Sequence, residues 1–240
     1  MAFIGSIVNH IKAAHFPDRV KKEITIVDVG CGNGDQVYQL ITEGFNAYGC
    51  DLRFKKGEHV TVLSEGEYLR KIDDQYRLPF DNEFADIVFT NQVVEHVQDL
   101  ESFFSEIKRV TKKGGIGIHC YPNINLFFEP HVKIPLATRI QSHKWVDLWK
   151  RQPIFNIPNK HWSDKSSDEI TDYLQNKTCF RTNKQIKNIA LQYFESVWFD
   201  GDLLLKAIAY KKKGKLFSLL PGGGALFNAI WTSLLFTKKL

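Results

Sequence analysis

Two aspartates and the glycine turn between them carry the first chemical signal. Asp28 lies within the apolar run Ile24–Val29, and Asp51 ends the run Ala47-Tyr48-Gly49-Cys50-Asp51. Gly30-Cys31-Gly32-Asn33-Gly34 follows the first run. Glycines let a backbone approach a ligand that a Cβ would push away. A dinucleotide fingerprint has a glycine five residues after the first, where this chain has Asp35. Acids beside the turn repel a pyrophosphate and suit an ammonium group and ribose hydroxyls. S-adenosylmethionine has both, which favours it over NAD. Methyl transfer to a hydroxyl also needs a proton acceptor. His96, His119 and His131 are the candidate bases. His119 and Tyr121 share one strand face by period two. The histidines are scattered in sequence, so no metal ligands are expected.

These residues need a sheet edge and helix ends to position them. Ile24, Ile26, Val27 and Val29 predict a buried strand, and Val37, Leu40 and Ile41 a helix that Gly44 closes. An acid about 20 residues beyond the turn, at the end of the second strand, is placed to bind a ribose diol. Asp51 meets that condition. Further strands are predicted over Tyr68–Ile72, Asp86–Thr90 and Ile116–Tyr121. A helix capped by Asp99 would bury Leu100, Phe103, Phe104, Ile107 and Val110. Strands at Glu195–Phe199 and Leu203–Tyr210 would finish the sheet after a helix over Asn183–Tyr193. Residues 53–67 carry no assignable pattern.

Five motifs in order resemble class I S-adenosylmethionine-dependent methyltransferases of the small-molecule group called type 11. They are VDVGCGNGD, GCD, D-x-x-x-LPF from Asp74, VVEH and KRV-x-KKGG, all within residues 24–121. The resemblance implies an α/β Rossmann-like fold: a mostly parallel seven-stranded sheet with helices on both faces. It implies cofactor contacts at Asp28, Gly30, Cys31, Gly32, Gly34, Asp51 and Leu52, at Asp74 beside the adenine, and at Asn91 toward the methionine end. Lys113 replaces the proline usual in the last motif, which alters only the sharpness of a helix stop.

Residues 122–180 interrupt that pattern and hold Trp145, Trp149 and Trp162, with Phe127, Phe128, Phe155, His131, His143 and His161. Pro135 is placed to start a helix carrying Ile140, Trp145, Leu148 and Trp149. An insert after the fifth strand lies over the ligand edge of such sheets, so it reads as a substrate lid; an aromatic mini-core is the other reading. Its run Glu129–Pro135 resembles one in some bacterial methyltransferases associated with cell-surface polysaccharides.

Composition sets the remaining bounds. With 43% apolar and 25% charged residues the chain is globular. Four unpaired cysteines read as reduced thiols of a cytoplasmic protein. Residues 201–240 hold seven lysines and one acid, so the basic character is local. No nucleic-acid footprint is expected, whereas an anionic membrane surface fits. Leu216–Phe236 is uncharged, but Pro221-Gly222-Gly223-Gly224 interrupts it. A helix over Ala225–Phe236 would be about 18 Å long, too short to span a bilayer. It reads as an interfacial element on the inner face of the membrane. The expected organisation is a methyltransferase domain over 1–210 and a basic, hydrophobic tail over 211–240. The expected acceptor is a small molecule, lipid-linked or quinone-like. Methylation of RNA or a soluble metabolite, with a structural tail, and a non-catalytic cofactor-binding module are the alternatives.

Overall fold

The structure is a computed structural model that describes residues 3–65, 67–73, 75–153, 162–209 and 212–240. Strands β1 (Thr25–Val29), β2 (Asn46–Asp51), β3 (Leu69–Lys71), β4 (Ala85–Asn91), β5 (Thr111–Pro122), β6 (Ser196–Phe199) and β7 (Thr232–Lys238) form one sheet. Its order is β3-β2-β1-β4-β5-β7-β6. Strands β1 to β5 pair in parallel, and β7 runs antiparallel to both β5 and β6. The strand order reverses between β1 and β4, where open α/β sheets bind ligands beyond the carboxyl ends of their strands.

Strand residues alternate between the two faces. Ile26, Ile87, Leu234 and Phe236 pack beneath α1 (Phe3–His15) and α2 (Asp35–Thr42). Val27, Val88 and Leu235 pack beneath α4 (Leu100–Val110), which follows the short α3 (Val60–Glu65). Helix α4 starts where expected: Asp99 accepts from the backbone N–H groups of Glu101 and Ser102, satisfying donors that a helix start leaves free. The insert contributes α5 (His143–Lys150) and α6 (Ser167–Lys177), and α7 (Asn183–Ala190) returns the chain to the sheet.

The C-terminal part differs from expectation. Residues 203–208 are helical, in α8 (Gly201–Ile208), followed by α9 (Lys212–Ser218) and α10 (Gly223–Ile230). Asp200 caps α8 by accepting from the Leu203 N–H. Leu203, Leu204 and Leu205 are all buried, because α8 is covered by α1, α10 and the sheet at once. The last strand comes from the supposed tail. Leu234, Leu235 and Phe236 are buried between β5 and β6, so the division at residue 210 does not separate a domain from an appendage. The expected helix over Ala225–Phe236 is half helix and half strand.

The insert has its own small core. Val132, Ile134, Ala137, Val146, Ile170 and Leu174 pack together, with Trp145, Trp149, Trp162 and Tyr173 around them. Its first helix begins at His143, capped by Ser142, and not at Pro135. Leu136 has φ 56°, a left-handed conformation that excludes it from a right-handed helix. Phe155 and His161 lie outside the described residues.

Candidate active site

The cradle is built where β1 enters α2. Gly30, Gly32 and Gly34 have φ of 82°, 59° and 78°, values that residues with a Cβ rarely adopt. At Gly30 an added Cβ would lie 2.4 Å from Val93 Cγ2, and at Gly34 2.7 Å from Leu63 Cδ1. The first glycine therefore lets the turn close against the segment after β4. The third lets α3 pack behind it.

The turn's own hydrogen bonds test what it can hold. The N–H groups of Gly30 and Cys31 both donate to Cys50 O, and that of Gly34 to Cys31 O. Gly32 N–H donates to Asp51 Oδ2 at 2.8 Å. A pyrophosphate loop needs such donors free, and here they are spent internally. Asp51 is held by this bond and by Arg53 N–H to Oδ1 at 3.0 Å. Carboxylate oxygens have two lone pairs each, so Asp51 keeps acceptor capacity for hydroxyls.

Asp28 is 1% exposed and neither carboxylate oxygen has a partner among the described residues. Burial first, and the neighbouring Asp51 second, raise its pKa well above the ordinary carboxyl value. An orphaned buried carboxyl beneath a glycine turn calls for a cationic donor. The amino and ribose groups of S-adenosylmethionine match Asp28 and Asp51.

The remaining expected contacts divide. Cys31 is buried in the turn, its thiol pushed up by burial and so kept protonated. Leu52 is exposed just beyond Asp51. Asn91, at the end of β4, donates to Gln36 Oε1 of α2 at 3.4 Å. Asp74 lies outside the described residues.

The candidate bases also divide. His119 is fully buried in β5 against Phe104, with Nδ1 3.1 Å from Thr90 Oγ1. Burial lowers its pKa to about 3. It is a neutral core residue and does not reach the cleft, a correction to its place among the bases. His96 and His131 instead come together, with ring centroids 4.9 Å apart. His96 ends the short 3-10 turn Val94–His96 after β4, and the insert delivers His131. Beside them is Glu95, 2% exposed, with both oxygens unpartnered among the described residues and its carboxyl pushed up to about 7 by burial. One ligand atom each from Glu95, His96 and His131 lie within 4.8 Å of one another. Chain folding thus joins histidines that sequence spacing keeps apart.

Sequence reasoning had Val93 and Glu95 only as part of the VVEH motif, with no role of their own, and missed Lys55. Lys55 N–H donates to Gly32 O at 3.0 Å, and its side chain passes 3.7 Å from the Cβ position of Gly32. Glu95 was findable as a carboxylate inside the apolar run Val93-Val94-Glu95-His96-Val97.

Residues 27–118 match the family model described as methyltransferase domain. Over those residues the chain is similar to a methyltransferase domain. The methyltransferase is 36% identical over 118 residues to an uncharacterised methyltransferase of Schizosaccharomyces pombe, covering 40% of this chain and 39% of that protein. It is 25% identical over 190 residues to a ubiquinone biosynthesis O-methyltransferase of Pelagibacter ubique, covering 66% of this chain and 78% of the relative. Geranyl diphosphate C-methyltransferase from Streptomyces coelicolor, solved with Mg²⁺, geranyl diphosphate and S-adenosyl-L-homocysteine, superposes with a TM-score of 0.53. At 15% identity, over 98% of this chain and 79% of that one, this likeness concerns the fold alone.

Asp51→Ala in the methyltransferase is expected to weaken S-adenosylmethionine binding by about 1.5–3 kcal/mol, the range for hydrogen bonds to a charged group. Asp51 is only partly buried, so the fold should persist. Calorimetry checks this, and unchanged affinity would remove Asp51 from the ribose site.

Proposed function

We propose that this methyltransferase moves the methyl group of S-adenosylmethionine to a hydroxyl of a small molecule with a quinone-like or lipid-linked head group, at a membrane surface. The observation that carries the cofactor half is the orphaned Asp28 carboxyl beneath a turn whose N–H groups are already used. When bound, S-adenosylmethionine supplies an electrophilic methyl carbon on a sulfonium. In this reading Asp28 takes the amino group and Asp51 the ribose hydroxyls. The acceptor's proton passes to the imidazole of His131 or His96. His131 Nδ1 is 2.6 Å from Glu129 Oε1, so Glu129 fixes the ring and stabilises the imidazolium. His131→Ala should lower turnover by about 10²–10⁴-fold if that imidazole takes the proton.

The ubiquinone relative supports a quinone-like acceptor, and the surface supports a membrane. Leu216, Leu219, Leu220, Leu226 and Ile230 of the α9–α10 hairpin are exposed, Leu219 by 74%. Exposed apolar clusters of this kind mark contact surfaces. Leu234, expected to enter lipid, is buried in the sheet, and Trp231 stacks on Phe227. The membrane contact is therefore assigned to the hairpin's leucines. Among the described residues no helix is long and apolar enough to cross a membrane.

The test takes the full chain. Calorimetry should show binding of S-adenosylmethionine and none of NAD, and mass spectrometry of extract incubated with labelled cofactor should show a methylated lipid-soluble product. Leu216→Ser with Leu219→Ser should lower binding to anionic vesicles at least tenfold while S-adenosylmethionine affinity stays unchanged. Labelled RNA or a water-soluble product, with vesicle binding absent in both proteins, would replace this acceptor assignment by the soluble-substrate one.

A further inference from the structure

We infer that Glu95, His96 and His131 form a binding site for a divalent transition-metal ion. The site is built from side chains already oriented for it. His96 Nδ1 is 2.6 Å from Lys177 O. A carbonyl only accepts, so Nδ1 carries the hydrogen and the lone pair of neutral His96 is on Nε2. His131 is set the same way by Glu129 Oε1 at 2.6 Å. Glu129 is itself fully buried and fixed, its Oε2 accepting from His131 N–H at 2.7 Å and Val132 N–H at 2.6 Å. Carboxylate or carbonyl partners on the far ring nitrogen are the usual supports of metal-bound histidines.

Glu95 provides the independent observation. Both oxygens lack a hydrogen-bond partner among the described residues although the side chain is 2% exposed. A buried carboxylate with no donor is costly, and its oxygens face the histidine pair within 4.8 Å. Ligands at about 2.1 Å from one ion lie roughly 3–3.5 Å apart, so separations of up to 4.8 Å must contract by up to about 1.3–1.8 Å. His131 is carried by the insert, whose core is separate from that of the sheet, so metal binding requires the two sides to approach. Glu95 and Glu129 together balance the charge of a divalent ion. Two imidazoles and one carboxylate favour zinc, manganese or iron(II) over magnesium or calcium, which prefer all-oxygen shells. Three protein ligands leave positions open.

The place matters as much as the ligands. Glu95 is two residues beyond Val93, the side chain against Gly30. The site therefore flanks the cofactor cradle. Metal binding stands on the side chains alone, while its role rests on the methyl-transfer reading. An ion held there would orient an oxygen-bearing acceptor and make its hydroxyl more acidic; with it bound, His96 and His131 would act as ligands in place of the base role given above.

The experiment uses the full chain, stripped with a chelator and dialysed into a non-coordinating buffer. Zn²⁺ and Mn²⁺ are titrated separately by calorimetry, with Mn²⁺ also followed by electron paramagnetic resonance. One equivalent should bind with micromolar or tighter affinity. Glu95→Gln and His131→Ala should each weaken it at least 100-fold, and Glu129→Gln about 10- to 100-fold. Asp51→Ala should leave metal affinity unchanged. Thermal melts show whether each variant is folded, and His131→Ala, on the insert, reports even if the buried Glu95→Gln fails to fold. Absence of saturable binding below 1 mM, or equal affinity in wild type and His131→Ala, overturns the site. S-adenosylmethionine binding to the stripped protein is measured alongside. Its loss would count against the methyltransferase reading, and its persistence without metal binding would count against the metal site alone.

Discussion

Removing residues 232–240 should yield a chain that does not fold. The deletion takes β7 out of the sheet, where it pairs with β5 from Ile116 to Pro122 and with β6 from Ser196 to Phe199. Leu234, Leu235 and Phe236 are essentially fully buried. At about 1.5–3 kcal/mol for each such side chain, their loss costs about 5–9 kcal/mol. That is comparable with the whole stability of a domain, about 5–15 kcal/mol. The deletion also opens a buried polar cluster. Asn123 Nδ2 donates to Ser233 Oγ at 3.1 Å and to Asn228 O at 3.2 Å. Asn228 Oδ1 accepts from Leu234 N–H at 2.9 Å. Unpartnered, these groups would cost about 1–3 kcal/mol each. Circular dichroism and proteolysis check the outcome. A deletion that melts cooperatively would show that β7 is dispensable. Truncation is for this reason a poor test of membrane binding, whereas the hairpin leucine variants leave the sheet intact.

Asp28→Asn should separate stability from binding. Breaking a buried charged contact costs about 3–5 kcal/mol, so S-adenosylmethionine affinity should fall by about 10²–10⁴-fold. The unliganded protein should gain stability. Burial, then Asp51, raises the folded-state pKa of Asp28 well above its ordinary 3.8. A carboxyl with a raised folded pKa binds its proton more tightly in the folded state. Its contribution is fully present below about pH 4 and is lost as pH rises toward the folded pKa. Wild type should thus lose stability relative to Asp28→Asn as pH rises above about 4, the gap widening toward the raised folded pKa. Denaturant melts at several pH values measure it. A gap independent of pH would mean that the carboxyl is not held protonated by its surroundings.

What the sequence reveals follows the range of the forces involved. The cradle was legible because its parts are local: a strand, a left-handed glycine turn and a helix start within about a dozen residues, then an acid at the end of the next strand. The cap at Asp99 and the buried face of α4 were legible for the same reason. Leu203-Leu204-Leu205 misled because three successive buried leucines look like a strand. The helix they form is covered on several sides, which erases its polar face. Thr232–Lys238 misled in the opposite direction, since a lone apolar run does not say which strands will receive it. His96 and His131 were each singled out as bases, but their pairing was not legible, because it depends on how the insert brings His131 to the end of β4. A spacing rule sees ligand pairs on one helix or loop and misses pairs made by tertiary closure. Glu95 was legible as a carboxylate among valines, but its partners were not, since His131 comes from the distant insert.

The position of β7 has a consequence for how the chain acquires its structure. His119 and Leu235 face each other across β5 and β7, although more than a hundred residues separate them along the chain. Among the described residues strand β6 pairs only with β7, so it cannot join the sheet ahead of it. Until residues 232–238 insert, β5 keeps an open edge of apolar strand, the kind of surface along which chains pair with one another. Pairings between distant segments also form slowly, because loop closure must precede any gain from the contact. The slow step of folding should therefore be entry of the last strand between two waiting neighbours. Aggregation during refolding should begin at the exposed edge of β5.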